Sequence, residues 1–303
     1  MKKKIVVLLT AVMMFSTVLS GTFVYGGTPE IDPIVSTGWL QNNMNLQNLV
    51  IIDIRTADQY EAGHIANSVS IPFVVPFSAW ITMEDELLLE LPENNELFSM
   101  LGSFGINENS NVVVVGGTAD PYDICAAPRV ADTLIYAGVE NVAILDGGYA
   151  KWASEGRPVT TEVPTVTAKY FKGNKIDKNM FVSMDYVEKK IGKSIIIDAR
   201  DAEVYNGEII EPYAQKPGHI PTAKSLPAPL MWNEDGTYKS ASELKQLAES
   251  IGNTNDHIIV YCGVGGYASA WWFVLTEVLE YKHVKFYDGS AQEWSLYNEM
   301  VLD

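Results

Sequence analysis

The feature that most constrains this chain is that it repeats itself. The same local patterns occur twice in the same order. An apolar run ending in an acid, Asn48 to Asp53, is followed by Ile54, Arg55 and Tyr60; the run Ser194 to Asp198 is followed by Ala199, Arg200 and Tyr205. Gly63-His64-Ile65-Ala66 is answered by Gly218-His219-Ile220-Pro221, and the β-branched run Val112 to Val115 by Ile258 to Tyr261. Asp146-Gly147-Gly148 before Trp152 is answered by Asp288-Gly289-Ser290 before Trp294. Four landmarks in one order imply a duplicated unit. The second copy carries about ten extra residues between Tyr205 and Gly218. At roughly 100 to 200 residues per domain, a chain of 303 residues holds two such units.

Each copy alternates short β-branched runs with helical patterns, such as Val130 to Ala137 and Ser269 to Leu279. That alternation predicts an α/β fold with a mostly parallel sheet flanked by helices on both faces. The expected boundaries are 30–158 for the first domain, 159–175 for a linker and 176–303 for the second. Pro158 to Lys175 is rich in Thr, Val, Pro and Lys and lacks a helical period. The acidic run Met83 to Glu93 reads as a solvated helix or loop face, and the extra residues Asn206 to Pro217 as one wall of a cleft beside Arg200.

Lys2 to Lys4 precede an apolar run from Ile5 to about Leu19 and then small residues around Gly26. This is the pattern of a signal peptide over 1–26, with an exported mature chain in the periplasm, cell envelope or outside the cell. The run is shorter than the roughly 20 residues that span a bilayer, and no later segment is apolar enough to cross one. A net charge of -17 makes nucleic acid an improbable partner. Four separated histidines and two cysteines give no metal-ligand spacing, so no metal or other cofactor is expected. Oligomeric state is not legible.

The two cysteines sit in different settings. Cys262 follows the strand Ile258 to Tyr261 and opens Gly263-Val264-Gly265-Gly266-Tyr267, which leads into an apolar helical stretch through Trp271 and Leu275. A thiol at the carboxyl end of a central parallel strand stands where such sheets bind ligands. Glycines there let backbone amides turn inward, and a helix amino terminus favours an anion on the sulfur. Cys125 falls on a helical stretch before Ala126-Ala127-Pro128-Arg129, nine residues after Gly116. It reads as a buried helical cysteine, with a resolving thiol for Cys262 as the sharper alternative. A Cys125 to Cys262 disulfide in an inert exported protein is a further reading.

These motifs together resemble the rhodanese-type sulfurtransferases in their tandem two-domain form, over essentially the whole mature chain. The resemblance rests on Asp53-Ile54-Arg55 with Gly63-His64-Ile65, Asp198-Ala199-Arg200 with Gly218-His219-Ile220-Pro221, the loop at Cys262, and the Asp-Gly segments before Trp152 and Trp294. In that family the carboxyl-terminal domain holds the nucleophile; here Gly116 takes the first position and Cys262 the second. Phosphatase relatives have a loop one residue longer that ends in Arg, whereas Ala268 follows Tyr267 here.

The resemblance implies double displacement. Cys262 takes sulfane sulfur from a small donor such as thiosulfate or 3-mercaptopyruvate, carries it as a persulfide, and yields it to a thiophilic acceptor such as cyanide or a thiol. Cys262 is then the catalytic residue. Gly263, Val264, Gly265, Gly266, Tyr267 and Arg200 are candidates for substrate binding, with a structural ion pair as the alternative for Arg200. Gly263 and Val264 are neutral where thiosulfate enzymes carry basic residues, and Val264 lacks the hydroxyl common in mercaptopyruvate enzymes. Val204 stands where a second arginine is common. A sulfane-sulfur carrier with slow turnover is therefore the alternative activity.

Overall fold

The computed structural model describes residues 31–302, so the expected signal peptide lies outside them. Two parallel sheets organise the chain. The first has the order Ile34–Val35, Asn141–Leu145, Asn111–Val115, Leu49–Asp53, Ser68–Ser70, with every neighbouring pair parallel. The second has the order Ala223–Ser225, Ile195–Asp198, Ile258–Tyr261, Val284–Phe286, again parallel throughout. Val112, Val113, Val114 and Val115 are wholly buried, as are the side chains of Ile258 to Tyr261. Strands covered by helices on both faces need no polar alternation, which is why these runs are uniformly apolar. The expected α/β class with two mostly parallel, helix-flanked sheets is the observed one.

The repeated motifs do the same structural work in both halves. Arg55 Nε and Nη2 donate to Asp53 at 3.0 and 2.6 Å, and Nη2 also donates to Gly63 O at 2.9 Å. Arg200 does the same with Asp198 at 2.9 and 2.6 Å and with Gly218 O at 2.7 Å. Tyr60 and Tyr205 stack on His64 and His219 with ring centroids 3.6 and 3.9 Å apart. Their hydroxyls donate to Ser68 O and Ala223 O. The Asp-Arg and Tyr-His pairs thus fasten the Gly-His-Ile turn to the end of a strand in each half.

The helices Pro121–Ala137 and Gly266–Phe273 pack on each other and join the halves. Asp120 caps the first of them, its carboxylate accepting from Asp123 N at 2.9 Å. Residues 159–175 lie along the first half: Val159–Thr160 pairs antiparallel with His64–Ile65, Lys169 N donates to Gly102 O, and Glu108 accepts from Lys172 N and Gly173 N.

The acidic run departs from its expected form. Thr82–Glu84 and Leu87–Glu90 form an antiparallel hairpin rather than a solvated helix or loop. Leu88 exchanges two hydrogen bonds of 2.9 Å with the Gln292 amide of the second half, and Leu89 is buried. Leu89 and the cross-domain bonds hold the hairpin against the other half, with Asp85 and Glu86 exposed at its turn while Glu90 is drawn into the contact. Among the described residues no helix is long and apolar enough to cross a membrane, and no group of three His, Cys, Asp or Glu is placed to hold a metal ion.

Candidate active site

Cys262 stands at the end of the Ile258–Tyr261 strand as a free, buried thiol; Cys125 is also free and buried. The next residues curl beneath the Gly266–Phe273 helix. Gly265 takes φ +98°, which an L side chain resists, and a β-carbon there would meet Asp288 Oδ1 at 2.9 Å. The Gly265 N–H donates to Cys262 Sγ at 3.1 Å. A β-carbon on Gly263 would come within 2.3 Å of Glu211 Oε2, and one on Gly266 within 3.1 Å of Cys125 Sγ. Two of these glycines therefore serve close approach and one serves the turn.

The loop is fixed from below by the Asp-Gly-Ser segment. Ala291 N donates to Cys262 O at 2.9 Å, Gln292 N to Gly263 O at 3.0 Å, and Cys262 N to Ser290 Oγ at 3.3 Å. Burial pushes the Cys262 thiol up. The amides of Ala268, Val264 and Gly265 pull it back in part, while the Glu211 carboxylate pushes it further. The resting sulfur is thus a thiol ringed by donors that favour the anion once it forms.

The sequence-selected residues are distributed as follows. Gly263, Val264, Gly265, Gly266 and Tyr267 form one continuous loop and helix start around Cys262. Tyr267 stacks on Tyr122 of the first half with centroids 5.2 Å apart. Arg200 is close to the loop but already engaged: besides Asp198 and Gly218 O, its Nη1 donates to Glu211 Oε1 at 2.9 Å. This is the ion-pair arrangement that Arg55 repeats in the first half, where the Tyr149 ring lies 3.4 Å from the guanidinium in place of the acid. Cys125 lies on Pro121–Ala137, its thiol donating to Tyr122 O at 3.1 Å, and burial pushes its pKa well up. Trp232 and Trp271 are buried core residues.

The equivalent place in the first half is narrow. A β-carbon on Gly116 would meet Ala127 Cβ at 3.2 Å, one on Gly148 would meet Gly116 O at 2.4 Å, and the Asp123 carboxylate covers Gly117.

Two participants escaped the sequence reading. Asp288 belongs to a repeated landmark, but its bond to Arg129 spans 159 residues of chain and leaves no local trace. Glu211 lies in the segment assigned to a cleft wall, and only its acidity within that segment hinted at a role.

Comparison with known proteins agrees with this geometry. The family described as Rhodanese-like domain matches residues 36–155 and again 183–297. The sulfur carrier protein TtuD of Thermus thermophilus is 33% identical over 279 residues, spanning 88% of this chain and 94% of that protein. A Saccharopolyspora erythraea protein provisionally named a thiosulfate sulfurtransferase is 31% identical over 276 residues, with 88% and 94% coverage. The crystal structure of YnjE superimposes with a TM-score of 0.77 at 24% identity, covering 89% of this chain and 68% of that one. A persulfide form of EanB with ergothioneine gives 0.75 at 23% identity, with 89% and 71% coverage. These two structures bear on the fold.

Proposed function

The chain belongs to the rhodanese-like family, and on that premise we propose that it transfers sulfane sulfur from a small donor to a thiophilic acceptor through a persulfide on Cys262. The observation that carries this reading is the Cys262 thiol at a strand end, with the Gly265 amide on its sulfur and a helix amino terminus above it. In the first step the Cys262 thiolate attacks the outer sulfur of the donor. A bond forms between the two sulfurs, the donor's own bond to that sulfur breaks, and the remainder leaves with the electron pair, as sulfite from thiosulfate or pyruvate enolate from 3-mercaptopyruvate. In the second step a nucleophilic acceptor attacks the outer sulfur and Cys262 thiolate departs. The inward amides stabilise the anion at both stages without reorganising.

The donor and acceptor are open between thiosulfate and 3-mercaptopyruvate on one side and cyanide or thiols on the other. A carrier with slow turnover is the second reading, supported by the similarity to a protein named as a sulfur carrier and by the ion-paired state of Arg200. Export is part of the proposal and rests on Lys2 to Lys4 and the apolar run after them; an intact Met1 on protein from the native compartment would contradict it. The test of sulfur transfer is to react reduced protein with each donor and measure the mass of the Cys262 peptide. Gain of one sulfur there, followed by its loss to an acceptor at a catalytic rate, supports the enzyme; gain without turnover supports the carrier. No gain with any donor refutes both.

A further inference from the structure

The wall over the Cys262 loop carries negative charge placed by a segment that only the second repeat possesses. Glu211 lies within residues 206–217, and its carboxylate covers Gly263 so closely that a β-carbon there would fall 2.3 Å from Oε2 and 3.0 Å from Oε1. Arg200 donates to it at 2.9 Å, yet the same guanidinium is already paired with Asp198 at 2.6 Å. One arginine thus faces two carboxylates. The other guanidinium beside the loop, Arg129, is paired with Asp288 at 2.6 Å. Asp201 adds to the same rim: after burial, its carboxylate is the next cause raising the Tyr122 phenol, with a smaller contribution from Glu211. A small dianion approaching Cys262 therefore meets an excess of like charge from largely buried carboxylates.

The rim also offers a face of another kind. Tyr122 is 69% exposed and stacks on Tyr267, which follows directly from the Cys262 loop. An aromatic face beside carboxylates favours an alkylammonium group.

We propose that Glu211 is a specificity-determining residue that turns away dianionic sulfur donors and admits donors whose recognised end is cationic, the fitting class being an aminothiol persulfide. The inference rests on the sulfur-transfer reading above. The step balances without a further reactant: Cys262 thiolate attacks the outer sulfur of the ammonio-alkyl hydropersulfide, a Cys262 sulfur–sulfur bond forms, the donor's sulfur–sulfur bond breaks, and the aminothiolate leaves with the electron pair. The proton on the outer sulfur stays with it.

The test uses the mature protein with two probes, thiosulfate and cysteamine persulfide, and reads kcat/KM together with sulfur loading of Cys262. Glu211→Gln keeps the size of the side chain and a carbonyl that accepts from Arg200. Because it also makes the Cys262 thiolate easier to form for either donor, the readout is the ratio: kcat/KM for thiosulfate should rise by about tenfold or more relative to kcat/KM for cysteamine persulfide. In the unaltered protein the thiosulfate rate should rise with ionic strength as the repulsion is screened, a readout that does not depend on how well the variant folds. Equal changes for both donors, or a thiosulfate rate that falls with salt, would overturn the role of Glu211 and leave sulfur transfer standing. Absence of loading by either donor would remove the sulfur-transfer reading and this inference with it.

Discussion

Arg129, wholly buried on the helix Pro121–Ala137 of the first repeat, donates to both carboxylate oxygens of Asp288 in the second repeat, at 2.6 and 3.0 Å. The same guanidinium donates to Leu89 O in the acidic hairpin. Asp288 in turn lies 2.9 Å from where a β-carbon of Gly265 would stand, and Ser290 and Ala291 hold the backbone of Cys262. One ion pair therefore joins a helix, a hairpin and the support of the reactive loop. A reciprocal contact exists: Asp146 of the first repeat accepts from Tyr238 N of the second at 2.8 Å. The first half, with Gly116 where the second has Cys262, is thus a structural part of the candidate site.

Removing Arg129 should therefore cost more than packing alone. Arg129→Met preserves length but leaves Asp288 buried without its partner, a change worth roughly 3 to 5 kcal/mol when a buried pair is broken from one side. Urea denaturation should show a loss of that order. Sulfur loading of the folded fraction should slow as well, because Asp288 opens the segment whose Ser290 and Ala291 hold the Cys262 backbone. A loss under about 1 kcal/mol would show that the interface stands without the pair.

The two thiols should separate cleanly. Cys262→Ser removes the nucleophile, and its hydroxyl lacks an accessible anion at neutral pH, so sulfur loading should vanish while thermal stability changes little. Cys125→Ser retains a donor for Tyr122 O and should keep most of the activity. Mass spectrometry of both reduced variants after one turnover decides the matter. Normal loading with lost turnover in Cys125→Ser would instead identify Cys125 as a thiol that takes part in the cycle, next to Gly266 of the loop.

Much of this was legible because the repeat supplies its own control. A pattern such as Asp-x-Arg with Gly-His-Ile appears in both halves, so its common role is structural, and the paired Arg55 and Arg200 show that role in space. The strand, thiol, glycine and helix order at Cys262 has a local signature that follows from backbone geometry. What the sequence withheld was everything that depends on the two halves meeting. Arg129 with Asp288, Leu88 with Gln292 and Asp146 with Tyr238 are contacts between distant segments. The hairpin was misread because its acids suggested solvent, while Leu88 bonds Gln292 of the other half through its backbone and Leu89 is buried.

That hairpin carries a pH dependence of stability. Burial raises the Glu90 carboxyl to about 8, with Asp288 adding to the shift and Arg129 opposing it. Between the ordinary carboxyl pKa and that value the folded protein holds a proton that the unfolded chain releases, so stability falls as pH rises through this window. Glu90→Gln removes the dependence. Its melting temperature should match that of the unaltered protein near pH 5 and exceed it by at least about 2 °C at pH 9. Curves that stay parallel across the range would show that Glu90 titrates as an ordinary surface acid.

The pH profile of sulfur loading tests the electrostatics of Cys262 itself. Burial comes first and raises the thiol; the amides of Ala268, Val264 and Gly265 lower it, and Glu211 raises it again, with the net shift upward. The reactive form is the thiolate, so the single-turnover loading rate should climb with pH through neutrality and keep climbing past the ordinary thiol value of about 8.5. Glu211→Gln removes one upward cause and should move the whole profile toward lower pH, whereas Cys125→Ser should leave its position almost unchanged. A profile that levels off below pH 7 would mean that the loop amides outweigh burial and that the resting sulfur is already an anion. The Glu211→Gln shift would then fall on the acid side of neutrality, and above it the variant would act on donor choice alone.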